Sequence, residues 1–126
     1  MDKRRIGRIV LAVFFFVGGA AHFLVSHFFV AIVPPYLPSP LLLVHISGVA
    51  ELLGAAGVLV PRAQRIAGIG LIALSIAVFP ANLHMALNPD QFPQFAQWLL
   101  FARLPLQLLV VGGIYWCSVS PSSMNR

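Results

Sequence analysis

The sequence predicts an all-α integral membrane protein, an antiparallel up-down-up-down bundle of four transmembrane helices. Three observations predict it. The 126 residues are 60% hydrophobic and only 9% charged, with a mean hydropathy of +0.93, where a soluble domain carries roughly 25% charged residues. The apolar residues form four runs, each long enough at ~1.5 Å per residue to cross a ~30 Å hydrocarbon core. Seven of the eight Lys and Arg residues fall at the N-terminus, the Arg62/Arg65 turn or the C-terminus. At this length the chain reads as one domain, residues 1–126, with spans at roughly 6–33, 41–60, 66–85 and 98–116.

The first run starts behind Lys3, Arg4, Arg5 and Arg8. Its small residues Gly18-Gly19-Ala20-Ala21 imitate a signal-peptide cleavage region. The apolar stretch continues far past the usual 7–15 residues, so a retained helix is expected. Pro34, Pro35, Pro38 and Pro40 then remove backbone donors and enforce an extended connection. The second run ends at the tight basic turn Pro61-Arg62-Ala63-Gln64-Arg65. A loop with Asn88-Pro89-Asp90, Phe92-Pro93 and Phe95 separates the third run from the fourth, and its aromatics suit the headgroup level. Trp98 opens the fourth run, Tyr115-Trp116 close it at an interface, and a polar, mobile tail is expected from Ser118 onward. The Lys/Arg distribution places both termini and the Arg62/Arg65 turn in the cytoplasm.

The formal net charge of +5 sits in topology signals, and no basic face with interleaved aromatics remains for nucleic acid. The single cysteine, Cys117, cannot form an intramolecular disulfide and reads as a small packing residue.

Inside the apolar runs lie two opposite charges, Glu51 and Arg103. A charge at bilayer depth costs at least ~2.5–3.5 kcal/mol on insertion scales, so it is expected to be paired and functional. Counting from the outer loops puts His22 about 16 Å deep, Glu51 about 15 Å and Arg103 about 12 Å, with Asn82 nearer the surface. Each helix also carries a small-or-polar stripe: Gly18/His22/Ser26, Ser47/Glu51/Gly54/Ala55, Gly68/Ser75/Asn82, and Arg103/Gln107. Pro80 frees the carbonyl of Ile76 and Pro105 that of Phe101, which suits a neighbouring polar cavity. The candidate ligand-binding residues are therefore His22, Glu51, Asn82, Arg103 and Gln107. His22, with an ordinary pKa of ~6.5, and Glu51 are the candidates for proton transfer. His27, His45 and His84 read as interfacial or packing residues. No HxxxH or ExxH spacing supports a metal site, and none is expected.

Gly18-Gly19-Ala20-Ala21-His22-Phe23, Ser47-Gly48-Val49-Ala50-Glu51-Leu52-Leu53-Gly54, Phe79-Pro80-Ala81-Asn82 and Arg103-Leu104-Pro105-Leu106-Gln107 resemble, in order and spacing, the DoxX-like membrane proteins. The resemblance implies a small four-helix protein of the bacterial inner membrane, associated with quinone-linked oxidoreductases or oxidative-stress complexes. On this reading the chain is a redox-associated subunit that binds a quinone-like or other amphiphilic molecule in the outer half of the bundle. The quinone would be supplied by the membrane, and a redox partner subunit or a second copy of the chain are the partners to look for. The competing reading is a non-enzymatic assembly or scaffold protein whose polar cluster fixes helix packing. A stand-alone acid–base enzyme ranks below both, because no reactive nucleophile accompanies His22 and Glu51. A transporter or channel would need oligomerisation. The sequence leaves open whether the chain is catalytic.

Overall fold

The computed structural model describes residues 2–91, 93 and 96–120, and every described element is helical. Four helices are long and apolar enough to cross a membrane: Lys3–Leu24, Pro40–Gly57, Gln64–Leu87 and Trp98–Val119. The last of these comprises a regular helix, Gln97–Ile114, and a π-helical turn, Tyr115–Val119. We label the helices α1 (Lys3–Leu24), α2 (Ser26–Ile32), α3 (Pro40–Gly57), α4 (Gln64–Leu87) and α5 (Gln97–Ile114). Asp2 caps α1, its carboxylate accepting from the Arg4 backbone N–H at 2.7 Å. Pro40 occupies the first turn of α3, where its missing N–H would have been unpaired anyway. Phe92, Phe95 and the tail from Pro121 lie outside the described residues.

One expectation fails informatively. The first span, read as a single helix over 6–33, breaks at Val25 (φ −130°, ψ 46°) with no glycine or proline there to break it. A tertiary contact decides the matter. The His22 and Phe29 rings stack with centroids 4.0 Å apart, whereas seven residues along a continuous helix would separate them by about 10 Å. The stacking and the packing of α2 on α3 thus override local helix propensity.

The helices pack in sequence: α1 along α3, α3 on α4, α4 on α5. Glycines set the closest approaches. A Cβ on Gly48 would lie 2.7 Å from Phe23 and 2.8 Å from the His22 Cβ, and one on Gly19 would lie 3.0 Å from the Gly48 carbonyl oxygen. The α1–α3 contact therefore has backbone nearly on backbone. Alanine at Gly48 would drive the two helices apart.

At one end the bundle closes on itself. Ala12, Phe15, Ala55, Val58, Leu71 and Ile114 form a buried core there. The π-helical turn returns onto α1, where Arg4 donates to the Ser120 carbonyl at 2.6 Å and Arg8 to the Cys117 carbonyl at 2.8 Å. These arginines satisfy carbonyls that the end of a helix leaves unpaired. Cys117 is buried against Gly7. A second, smaller core joins Met85, Ala86 and Leu100 to Ile32 and Leu104. Between the two cores α1 and α5 barely touch, and there the helices part.

Candidate functional site

The parting encloses a cavity of about 760 Å3 that reaches residues of all five helices and of the proline-rich connection. His22 and Glu51, on α1 and α3, form one wall; Asn82, Arg103 and Gln107, on α4 and α5, form the other. The structure thus brings all five sequence-derived candidates to one cavity. Phe29 and Pro34 lie over it, contributed by α2 and the segment that follows. The remaining lining is almost wholly apolar.

On the first wall, His22 Nδ1 lies 2.7 Å from the Gly18 carbonyl oxygen. A carbonyl only accepts, so Nδ1 carries the proton. Glu51 Oε2 lies 3.0 Å from the same nitrogen, yet it is buried and accepts no hydrogen bond among the described residues. With the single Nδ1 proton directed at Gly18, the His22–Glu51 contact is a close polar pair and not an in-line hydrogen bond. Glu51 Oε2 is covered, turned toward His22 and away from the open space. Gly18 leaves room for the carboxylate, since a Cβ there would lie 3.3 Å from Oε1.

On the second wall the groups form a directed relay. Arg103 Nη2 donates to Asn82 Oδ1 at 2.9 Å. Asn82 Nδ2 donates to Gln107 Oε1 at 2.5 Å, and Gln107 Nε2 donates to the Ser75 backbone carbonyl. That carbonyl lies one residue before Ile76, whose own carbonyl loses its helical partner at Pro80. The helix ladder is weakened where α5 reaches in. Arg103 Nη1 makes a further contact with the Met85 thioether at 3.1 Å.

Two features lay beyond the sequence reading, which left open whether Glu51 and Arg103 pair directly. Glu51 pairs with His22 and not with Arg103, because α3 lies beside α1 and α4, whereas α5 lies across the cavity. The two opposite charges line opposite walls of the cavity. Sequence reasoning also missed Met85 and Phe29. Met85 is three residues beyond Asn82 on the same face of α4, a signal that was present. Phe29 had no usable signal, because its place depends on the break at Val25.

The other histidines lie toward the end of the bundle near α2. His45 stacks on Phe23 at 5.2 Å, His84 meets Tyr36 edge-on at 6.3 Å, and His27 is exposed. Among the described residues no group of three or more His, Cys, Asp or Glu side chains is placed to hold a metal ion.

Fold and site together define a small all-helical protein with four potential membrane spans around a polar-lined cavity. The chain belongs to a family described as a domain of unknown function (DUF8561), whose model matches residues 11–118. No curated protein and no solved structure matches it. This corrects the DoxX resemblance, since the matching family is a different one. The motifs behind the resemblance are physically generic. Small residues where helices cross, a proline beside a polar group, and one polar side chain per helix recur wherever a helical bundle surrounds a polar cluster.

Proposed function

We propose that the chain is an integral membrane protein, arranged up-down-up-down with both termini cytoplasmic, that holds one amphiphilic small molecule in its cavity. One observation carries the reading: His22, Glu51, Asn82, Arg103 and Gln107, from four helices, line one largely apolar cavity. Its volume of about 760 Å3 falls within the 300–1,000 Å3 range of small-molecule sites. The orientation rests on Lys3, Arg4, Arg5, Arg8, Arg62 and Arg65 falling at the ends of spans that would share one side.

The polar walls can serve a head group. A guanidinium has five N–H donors and Arg103 commits two, while Asn82 and Gln107 each keep a second amide hydrogen. Native mass spectrometry of the protein extracted with its own lipids tests the proposal. One bound small molecule per chain is expected, lost on substitution of Ala81, which lines the cavity, by tryptophan. Ligand-free wild-type protein would overturn it. The narrower version, a redox-associated subunit whose amphiphile is a quinone, is checked by adding ubiquinone to the same sample.

A second reading has its own observation. The Asn82–Gln107–Ser75 relay ties α4 to α5, as expected if the polar cluster serves helix packing in an assembly or scaffold protein. That reading predicts a co-purifying protein partner and no stoichiometric small molecule.

A further inference from the structure

The two polar walls differ in charge balance. The chain has three acidic residues, Asp2, Glu51 and Asp90. Asp2 caps α1, Asp90 sits in the 3-10 turn Pro89–Gln91, and Glu51 Oε2 is turned to His22. Arg103 lines the cavity, and its hydrogen-bond partners are uncharged: the Asn82 amide oxygen and the Met85 sulfur. Among the described residues no carboxylate lies within 4.0 Å of its guanidinium. A partly buried cation among apolar side chains, without a counter-ion, is a costly arrangement. Its unused N–H groups lie in a planar fork that matches a carboxylate or a phosphate.

The cavity also has an opening with a definite character. Val13, Phe14 and Val17 on α1 and Leu106 on α5 both line the cavity and are more than half exposed on the outside of the bundle. They flank the gap where α1 and α5 barely touch. Every one of these edge residues is apolar. An aqueous ligand would gain nothing from such an entrance, whereas an alkyl chain could lie in it and continue into lipid.

We propose that the ligand is a single-chain amphiphile with an oxyanion head, carboxylate or phosphate ester, its head on Arg103 and its chain leaving between α1 and α5. The proposal rests on the amphiphile reading above and narrows it by head-group charge and by route. The oxyanion supplies the counter-charge that Arg103 lacks, and hydrogens from Asn82 and Gln107 complete its coordination. Glu51 stands on the opposite wall, its Oε2 buried 3.0 Å from His22 Nδ1 and turned away from the open space. The chain enters and leaves sideways from the bilayer.

The test uses the whole protein in phosphatidylcholine nanodiscs with three sixteen-carbon probes: palmitate, hexadecyl phosphate and the neutral hexadecanol. Either anion is expected to bind at least tenfold more tightly than hexadecanol. A preference for one anion identifies the source as a free fatty acid or a phosphate ester. Arg103→Gln is expected to abolish the preference and Arg103→Lys to retain most of it. If Arg103→Gln does not fold, the wild-type head-group series and the lysine variant still decide. Val17→Trp, which narrows the gap, is expected to weaken palmitate several-fold more than octanoate.

Equal binding of hexadecanol and palmitate, or tighter binding of ubiquinone than of either anion, would overturn the oxyanion head and leave the amphiphile reading standing. Binding of none of the probes, with no small molecule co-purifying, would overturn both. Equal weakening of palmitate and octanoate by Val17→Trp would overturn the lateral route.

Discussion

Where the N-terminal and C-terminal segments meet, Phe15, Leu71 and Ile114 interlock with Ala12 and Ala55, and two arginines bridge to the backbone of the π-helical turn. A few turns along the same helices, α1 separates from α5, and the facing positions carry His22, Glu51, Asn82, Arg103 and Gln107. The composition of the two regions explains the difference. At the closed end Leu71 packs against Gly54 and Ser118 against Gly68, so the helices approach closely. At the cavity Arg103, Asn82 and Gln107 bond to one another along one wall, while on the other Glu51 Oε2 accepts no hydrogen bond among the described residues. A bundle can thus hold several polar groups apart where neighbouring helices of one wall supply most of each other's hydrogen-bond partners.

The sharpest way to break that comparison uses two leucines of α4 less than one turn apart. Leu71 is 1% exposed in the closed core, whereas Leu74 lines the cavity. Leu71→Ala is expected to destabilise the protein by about 2–4 kcal/mol and Leu74→Ala by under about 1 kcal/mol. Chemical denaturation in detergent micelles measures both. Equal losses would mean that the cavity is packed as tightly as the closed end.

A smaller effect probes the relay. Gln107→Leu leaves the Asn82 amide hydrogen without its acceptor and should cost about 1–3 kcal/mol. A double-mutant cycle with Asn82→Ala should return a coupling of about 0.5–2 kcal/mol. A coupling near zero would show that α4 and α5 are held by apolar contact alone.

The smallest expected effect lies at Ser39, which adopts a left-handed conformation (φ 50°, ψ 62°) between two prolines. Ser39→Gly should stabilise by up to about 1 kcal/mol, since glycine enters that region without steric cost. No change in the midpoint of thermal unfolding would show that the serine conformation carries no strain.

Much of this was legible in the sequence. The four spans follow from run length, and the convergence of His22, Glu51, Asn82, Arg103 and Gln107 from helical periodicity and depth counting, because both depend on local geometry. What escaped depends on which helices are neighbours. Periodicity assigns Glu51 and Arg103 to inward faces but does not say that α3 borders α1 and faces α5 across open space. The break at Val25 was invisible for a related reason: its cause is a ring stack with a residue seven positions away. The family was misread because the matching motifs are ones that bundle packing itself selects.

The break at Val25 has a kinetic consequence. A seven-residue helix is too short to persist by itself in water, so α2 owes its place to Phe29 on His22 and to its contacts with α3. Because the helical ladder is interrupted, α2 can lift while α1 stays intact. Lifting α2 would then break one aromatic stack and the contacts with α3, and leave the other helices in place.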